Sequence, residues 1–241
     1  MLKQIKNYIC CAAVVIANIF FQYADAQSTS NTAGTMLSAE ETTAKANAEL
    51  EKKAVEWVND LHLNDGEKEK RISEAIATHL KTVRDWNNEH PFTTVPAGIN
   101  PATGNKLSEL DRQVIANSAM PASVHQNLME ALKKELTPEQ VEAILDKYTI
   151  GKVAFTLAGY KAIVSDLTTE EEAKIVENLK QAREQAIDYK NMRQVSAIFE
   201  IYKTKCEQYL NSNGRNWRQL YKAYTEKVKA QKAEQKKEKT N

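Results

Sequence analysis

The stretch DGEKEKRISEAIATHLKTVRDWNNEHPFTTVPAGINPATG, residues 65–104, decides the fold. Its first part carries Ile72, Ile76, His79, Val83, Trp86 and His90 at alternating steps of four and three. That spacing keeps one helix face toward a partner, so a helix is expected from about Asp65 to Glu89. Pro91 ends it, because the residue before a proline is pushed out of the α region. The remainder, 90–104, holds three of the five prolines (Pro91, Pro96, Pro101) and two of the seven glycines (Gly98, Gly104). A structureless stretch this long inside a compact domain is usually functional or disordered. This one has few charges and too much apolar content for a solvated linker. The sequence therefore predicts an ordered excursion that folds back over the end of a helical stack.

Working outward, the same period recurs on both sides. A first helix, roughly Glu40 to Leu61, aligns Leu50, Ala54, Trp57, Val58 and Leu61. After the excursion come shorter helices at about 107–118, 121–135 and 138–147. Residues 148–164 are ambiguous: Val153, Phe155 and Leu157 alternate as in a strand, yet a short helix with an irregular start fits equally and is preferred here. Two longer helices follow. One spans about 168–190, with Ile175, Val176, Leu179, Ala182, Ala186 and Ile187 inward. The other spans about 192–210, with Val195, Ile198, Phe199, Tyr202, Cys206 and Tyr209 inward. Gly214 suits a left-handed cap, and a last helix begins near Asn216 with Trp217, Leu220, Tyr221 and Tyr224.

Three helix entries share one signature. Leu63-Asn-Asp-Gly-Glu67, Leu136-Thr-Pro-Glu-Gln140 and Leu167-Thr-Thr-Glu-Glu171 each set a capping side chain three residues before Glu or Gln. The cap accepts from an early backbone N–H and the Glu or Gln reaches back. Pro138 fits the first helical position. Short connections make consecutive helices antiparallel neighbours. The expected fold is all-α: a bundle of about seven to eight helices with one long, ordered Pro/Gly-rich loop.

The ends differ from the middle. Lys3 and Lys6 precede an apolar run from Tyr8 to Phe21, and Ala24-Asp-Ala26 is a small-x-small site. This is the pattern of an export signal, and the run is too short for a comfortable membrane span. The expected organisation is a signal peptide at 1–26, a flexible Ser/Thr/Asn-rich lead-in at 27–38, one helical domain at 39–225 and a Lys-rich, fraying helical tail at 226–241. Removing the signal leaves Cys206 as the remaining cysteine, so no internal disulfide is expected despite an oxidising destination. It also brings the formal charge from +1 to zero, and the tail carries +3, leaving the body about −3. That balance argues against nucleic acid as a partner. No stable membrane span is expected once the signal is removed.

Candidate site residues cluster in two places. At the mouth of the excursion, His90 lies one helical turn beyond Trp86, and two readings stay open: a functional imidazole or a helix C-terminal cap. Asn100 lies within the excursion and Arg112 just after it. Asp85 and Glu89 share a helix face, where paired carboxylates can do acid–base work on a glycosidic bond, although a solvated polar face explains them as well. The second place is Asn213-Gly-Arg-Asn-Trp-Arg218. Backbone N–H groups at a helix start attract anions, Arg215 and Arg218 can grip carboxylates bidentately, and Trp217 or Tyr221 can stack on the apolar face of a sugar. If both places gather at one end of the bundle, Trp86, His90, Asn100, Arg112, Arg215 and Trp217 line one cleft. The histidines (His62, His79, His90, His125) show no zinc spacing, and His79, in an apolar stripe, reads as a core residue. No metal or cofactor is expected.

Thr78-His-Leu-Lys-Thr-Val-Arg-Asp-Trp-Asn-Asn-Glu-His-Pro91, Thr94-Val-Pro-Ala-Gly-Ile-Asn-Pro-Ala-Thr-Gly104 and Tyr209-Leu-Asn-Ser-Asn-Gly-Arg-Asn-Trp-Arg218 resemble a family of exported helical proteins of unknown function. That family is associated with polysaccharide-degrading, Gram-negative gut bacteria, and the resemblance covers roughly residues 50–225. It implies a periplasmic or secreted protein with an oligosaccharide or glycan fragment as partner, and brings no catalytic residues with it. Leu136-Thr-Pro-Glu-Gln140 is similar to the Leu-Thr-x-x-Gln signature of small periplasmic stress chaperones. Three functions follow as expectations. The first is binding of acidic glycan fragments. The second is an enzyme on the same glycans using His90 and a carboxylate, and the third is a chaperone or scaffold.

Overall fold

The computed structural model describes residues 38–101 and 104–238. The expected signal peptide, the lead-in up to residue 37, Ala102 and Thr103 of the excursion and the last three residues of the tail lie outside the described residues. Among those described, nine α-helices stand and no strand forms beyond one isolated bridge. They are α1 (Ala39–Asn59), α2 (Gly66–Glu89), α3 (Glu109–Ser118), α4 (Ala122–Glu135), α5 (Pro138–Thr149), α6 (Lys152–Ile163), α7 (Thr169–Ala186), α8 (Met192–Ser212) and α9 (Trp217–Glu238). The fold is all-α, as the periodicity requires, with one helix more than the seven to eight expected. The ambiguous 148–164 stretch resolves as α6. Its irregular start is two successive left-handed residues, Ile150 at φ 53° and Gly151 at φ 63°.

The helix starts follow their capping chemistry. Ser38, Ser108, Thr137 and Thr168 each accept from the backbone N–H three residues on, and Glu41, Asp111, Gln140 and Glu171 return the contact to the cap's own N–H. At the start of α2 the cap is Asp65, accepting from Lys68 N at 3.0 Å. The box read from Asn64 to Glu67 is therefore displaced by one residue, because Asn64 takes up the left-handed turn before it (φ 55°). Gly214, at φ 84°, closes α8.

The described chain divides into two compact units. One comprises residues 38–153 and 176–206. In it α1 packs along α2, and α2 against α4. Its core joins Ala54, Val58, Ile72, Ile76, Leu128, Leu132, Ile144 and Ile187, with Trp57 and Leu61 packed at its edge. Ala54 and Val58 of the first stripe and Ile72, Ile76, His79 and Val83 of the second are buried, while Trp86 and His90 at its end are half-buried. The other unit comprises residues 154–175 and 207–238, with Tyr160, Val164, Ile175 and Leu210 buried. Among the described residues no helix is long and apolar enough to cross a membrane.

Candidate functional site

The larger unit holds a cavity of about 720 Å³ where the ends of α1 and α5 meet the connection from α7 to α8. That volume is in the range of small-molecule sites. α1 supplies Lys53 and, one turn later, Trp57. α5 supplies Asp146, Lys147 and Tyr148, and the α7–α8 connection supplies Tyr189 and Lys190. Trp57 and Tyr148 meet edge to face, their ring centres 4.8 Å apart. The Lys53 ammonium sits 4.8 Å over the Trp57 ring, and burial lowers its pKa. Lys147 pairs with Asp60, and Lys190 donates to Asn88 at 2.6 Å. The charge of Asp146 is met by Arg183, at 2.7 Å. The cavity thus combines aromatic walls with three ammonium groups, of which that of Lys147 is already met by Asp60, as its carboxylate is by Arg183.

Behind Tyr148 lies a partly buried polar cluster. Asp188 accepts from His79 Nε2 through one carboxylate oxygen and from His125 Nδ1 through the other, both at 3.0 Å. The His79 ring meets Tyr148 edge-on at 5.4 Å. Desolvation alone would raise the Asp188 pKa, but the two imidazole hydrogen bonds and their charges outweigh it and hold it low. His125 is raised, first by its bond to Asp188 and then, against desolvation, by the charges of Asp188 and Glu184. Burial drives the Tyr148 hydroxyl well above its ordinary value, with a further push from Asp188. The same two causes lift Tyr189 to about 12. His125, Asp188 and Tyr189 also line a second cavity of about 150 Å³, with Asn117, Ser118 and Gln185. Among the described residues no group of three or more His, Cys, Asp or Glu is placed to hold a metal ion.

The residues singled out in the sequence occupy other places. Trp86 and His90 stack with ring centres 3.8 Å apart. His90 Nδ1 donates to Trp86 O at 2.9 Å, so His90 closes the end of α2. Its backbone carbonyl accepts from Gln113, and no carboxylate hydrogen-bonds it among the described residues. Arg112 donates through Nε and Nη2 to Val95 O and lies over the Phe92 ring, which ties the excursion to α3. Asn100 N donates to Asn105 O beside the Ile99–Lys106 bridge, within the excursion's own turn. The described residues of the excursion are held to α3 through Arg112, but Trp86, His90, Asn100 and Arg112 line neither of the two cavities.

Arg215, Trp217, Arg218 and Tyr221 belong to the smaller unit. Arg215 forms a fork with Glu171 (2.9 and 2.7 Å) and also reaches Asp166 Oδ1 at 2.7 Å. Its guanidinium, foremost, holds Glu171 down at about 2. The arginine read as a grip for ligand carboxylates is thus occupied by the protein's own. Trp217 meets Tyr160 at 5.1 Å and Tyr221 at 6.1 Å; Tyr221 and Arg218 are exposed.

Sequence reasoning missed Trp57, Lys53, Tyr148 and Tyr189 as a site, and Asp188 altogether. Trp57 carried a signal, since it stands in a stripe that ends where α1 ends. The His79–Asp188 bond joins residues 109 apart, and no local pattern records it.

Fold and cavity together define an all-α bundle with an open, aromatic-walled and lysine-rimmed recess. Residues 47–230 match the family described as "Protein of unknown function (DUF3826)", and the chain belongs to that family. No curated protein matches the chain.

Proposed function

We propose that this protein binds acidic glycan fragments in the cavity walled by Trp57, Tyr148 and Tyr189. One observation carries the reading: an aromatic face and the ammonium groups of Lys53 and Lys190 converge on one recess of about 720 Å³ whose carboxylate is already met by Arg183 and whose third lysine, Lys147, is paired with Asp60. Sugar rings present an apolar C–H face that an amphipathic aromatic covers, and ammonium groups complement uronate carboxylates. The signal-like first 26 residues and the resemblance to exported proteins of polysaccharide degraders support a periplasmic or secreted setting within polysaccharide utilisation. The test is calorimetric titration with galacturonate oligosaccharides and a neutral oligosaccharide of equal length. Saturable binding of the acidic ligand, weakened by Trp57→Ala and Lys53→Ala in a protein that stays folded, supports the proposal. Binding that survives both changes and is lost in Trp86→Ala or Trp217→Ala would move the site back to the places the sequence suggested.

A second reading, an enzyme acting on the same glycans, draws on the His125–Asp188 pair. An imidazole oriented by a half-buried carboxylate at the wall of the smaller cavity is an arrangement suited to proton transfer. It calls for product formation from the same oligosaccharides, abolished in His125→Ala with affinity retained.

A further inference from the structure

Ile150 has a backbone conformation that its side chain disfavours. α5 ends at Thr149, and Ile150 then takes φ 53°, ψ 47°. Its N–H and that of Gly151 both donate to Asp146 O. This is a position where helices ordinarily place glycine or asparagine. A β-branched residue there brings its Cβ against the neighbouring carbonyl, which makes it a genuine outlier. Among the described residues His62 and Asn64 are the other non-glycine residues with positive φ, and neither is β-branched.

Burial does not compensate. The Ile150 side chain is 72% exposed, so the molecule gains little from apolar packing at a strained site. The same residue lines the cavity that holds Trp57 and Lys147. A strained backbone at a recess, carrying an apolar side chain outward, is the pattern of a ligand contact kept at the expense of stability.

We infer that Ile150 is a specificity-determining residue of this cavity, an apolar lip that closes on the C–H face of a bound uronate. The inference rests on the acidic-glycan reading and narrows it. The ligand must be two-sided, with a carboxylate for the lysines and an apolar ring face turned to the rim. Polar substituents on that face are selected against.

The experiment compares the whole protein with Ile150→Asn and Ile150→Gly, by thermal melting and by titration with a galacturonate trisaccharide. Both replacements suit the left-handed turn. The expected result is a melting temperature raised by about 2–4 °C together with affinity reduced about five- to tenfold, the loss of one modest apolar contact. An equal loss in the two variants assigns the effect to the missing side chain, since asparagine and glycine differ in backbone freedom. A raised melting temperature with unchanged affinity overturns the inference and leaves the glycan reading standing. A lowered melting temperature also overturns it, because Ile150 then serves the fold. If the unaltered protein binds no acidic oligosaccharide, both readings fall.

Discussion

His125 donates from Nδ1 to Asp188 Oδ2 at 3.0 Å, fixing the imidazole with Nε2 directed away from that carboxylate. Asp188 receives His79 on its other oxygen, and Glu184 lies 3.7 Å from His125 Nε2. The raised His125 pKa gives the sign of the effect on stability. Folding favours the protonated ring, so its contribution is fully present below the unfolded value near 6.5 and is lost as pH rises through the higher folded value. Urea denaturation from pH 5 to 9 should show the deficit of His125→Ala to be largest at the acid end and shrinking above neutrality. A deficit that does not change with pH would contradict the assignment.

Asp188 ties two histidines from different helices, so its removal should be felt at both. His79 is buried at 3% exposure and has no hydrogen-bond partner for Nδ1 among the described residues. Asp188→Ala leaves its second nitrogen without a partner as well. A cost of about 3 kcal/mol is expected. The double-mutant cycle with His79→Ala should give a coupling of about 1–3 kcal/mol. Additive losses would mean the bond contributes nothing.

Local chemistry made most of the fold readable. Thr137 with Gln140 and Thr168 with Glu171 act as their spacing demands, and the stripe from Ile72 to Val83 is the buried face of α2. The cavity was not readable in this way. Trp57, Tyr148 and Tyr189 are 41 to 132 residues apart, and each by itself reads as the edge of a core stripe. Arg215 misled for the complementary reason: sequence shows a guanidinium at a helix start, but not the Glu171 and Asp166 carboxylates already bound to it.

That pairing makes Arg215 a stability residue. Arg215→Ala strips a largely buried carboxylate of its charged partner and leaves it Thr168 alone, and a loss of about 3 kcal/mol is expected. In the unaltered protein the folded pKa of Glu171 is depressed from 4.5 to about 2. Its contribution is therefore present above about pH 4.5 and lost as pH falls toward 2. A carboxyl titration followed by NMR should place Glu171 far below its neighbours, and Arg215→Ala should return it upward. Glycan affinity should not change.

Two glycines should respond with opposite signs. Gly214 holds φ 84°, and an added Cβ would meet nothing within 4 Å, so Gly214→Ala isolates the backbone cost, about 1 kcal/mol. Gly159 lies inside α6, also with nothing within 4 Å. There alanine restricts the unfolded chain at no steric expense, and Gly159→Ala should stabilise by about 0.5–1 kcal/mol. Thermal melting of the two variants checks both signs.

Arg112 should decide how firmly the excursion is held. Its guanidinium is bound to Val95 O through two nitrogens and rests 5.3 Å from the Phe92 ring centre. Beyond it the turn is closed by Leu107 N to Gly98 O at 2.9 Å and Asn100 N to Asn105 O at 2.8 Å. Arg112→Ala leaves the Val95 carbonyl without its charged donor, a loss of about 2 kcal/mol. Because the bond anchors one loop, the loss should be local: amide exchange at Asn100 and Leu107 should accelerate by about tenfold or more, while buried amides of α2 such as Ile76 keep their protection. Arg112→Lys retains the charge but not the planar fork, and should protect these amides only partly. Uniform acceleration across α2 would show instead that Arg112 supports the whole unit, and unchanged exchange would show that the apolar content of the excursion suffices to hold it.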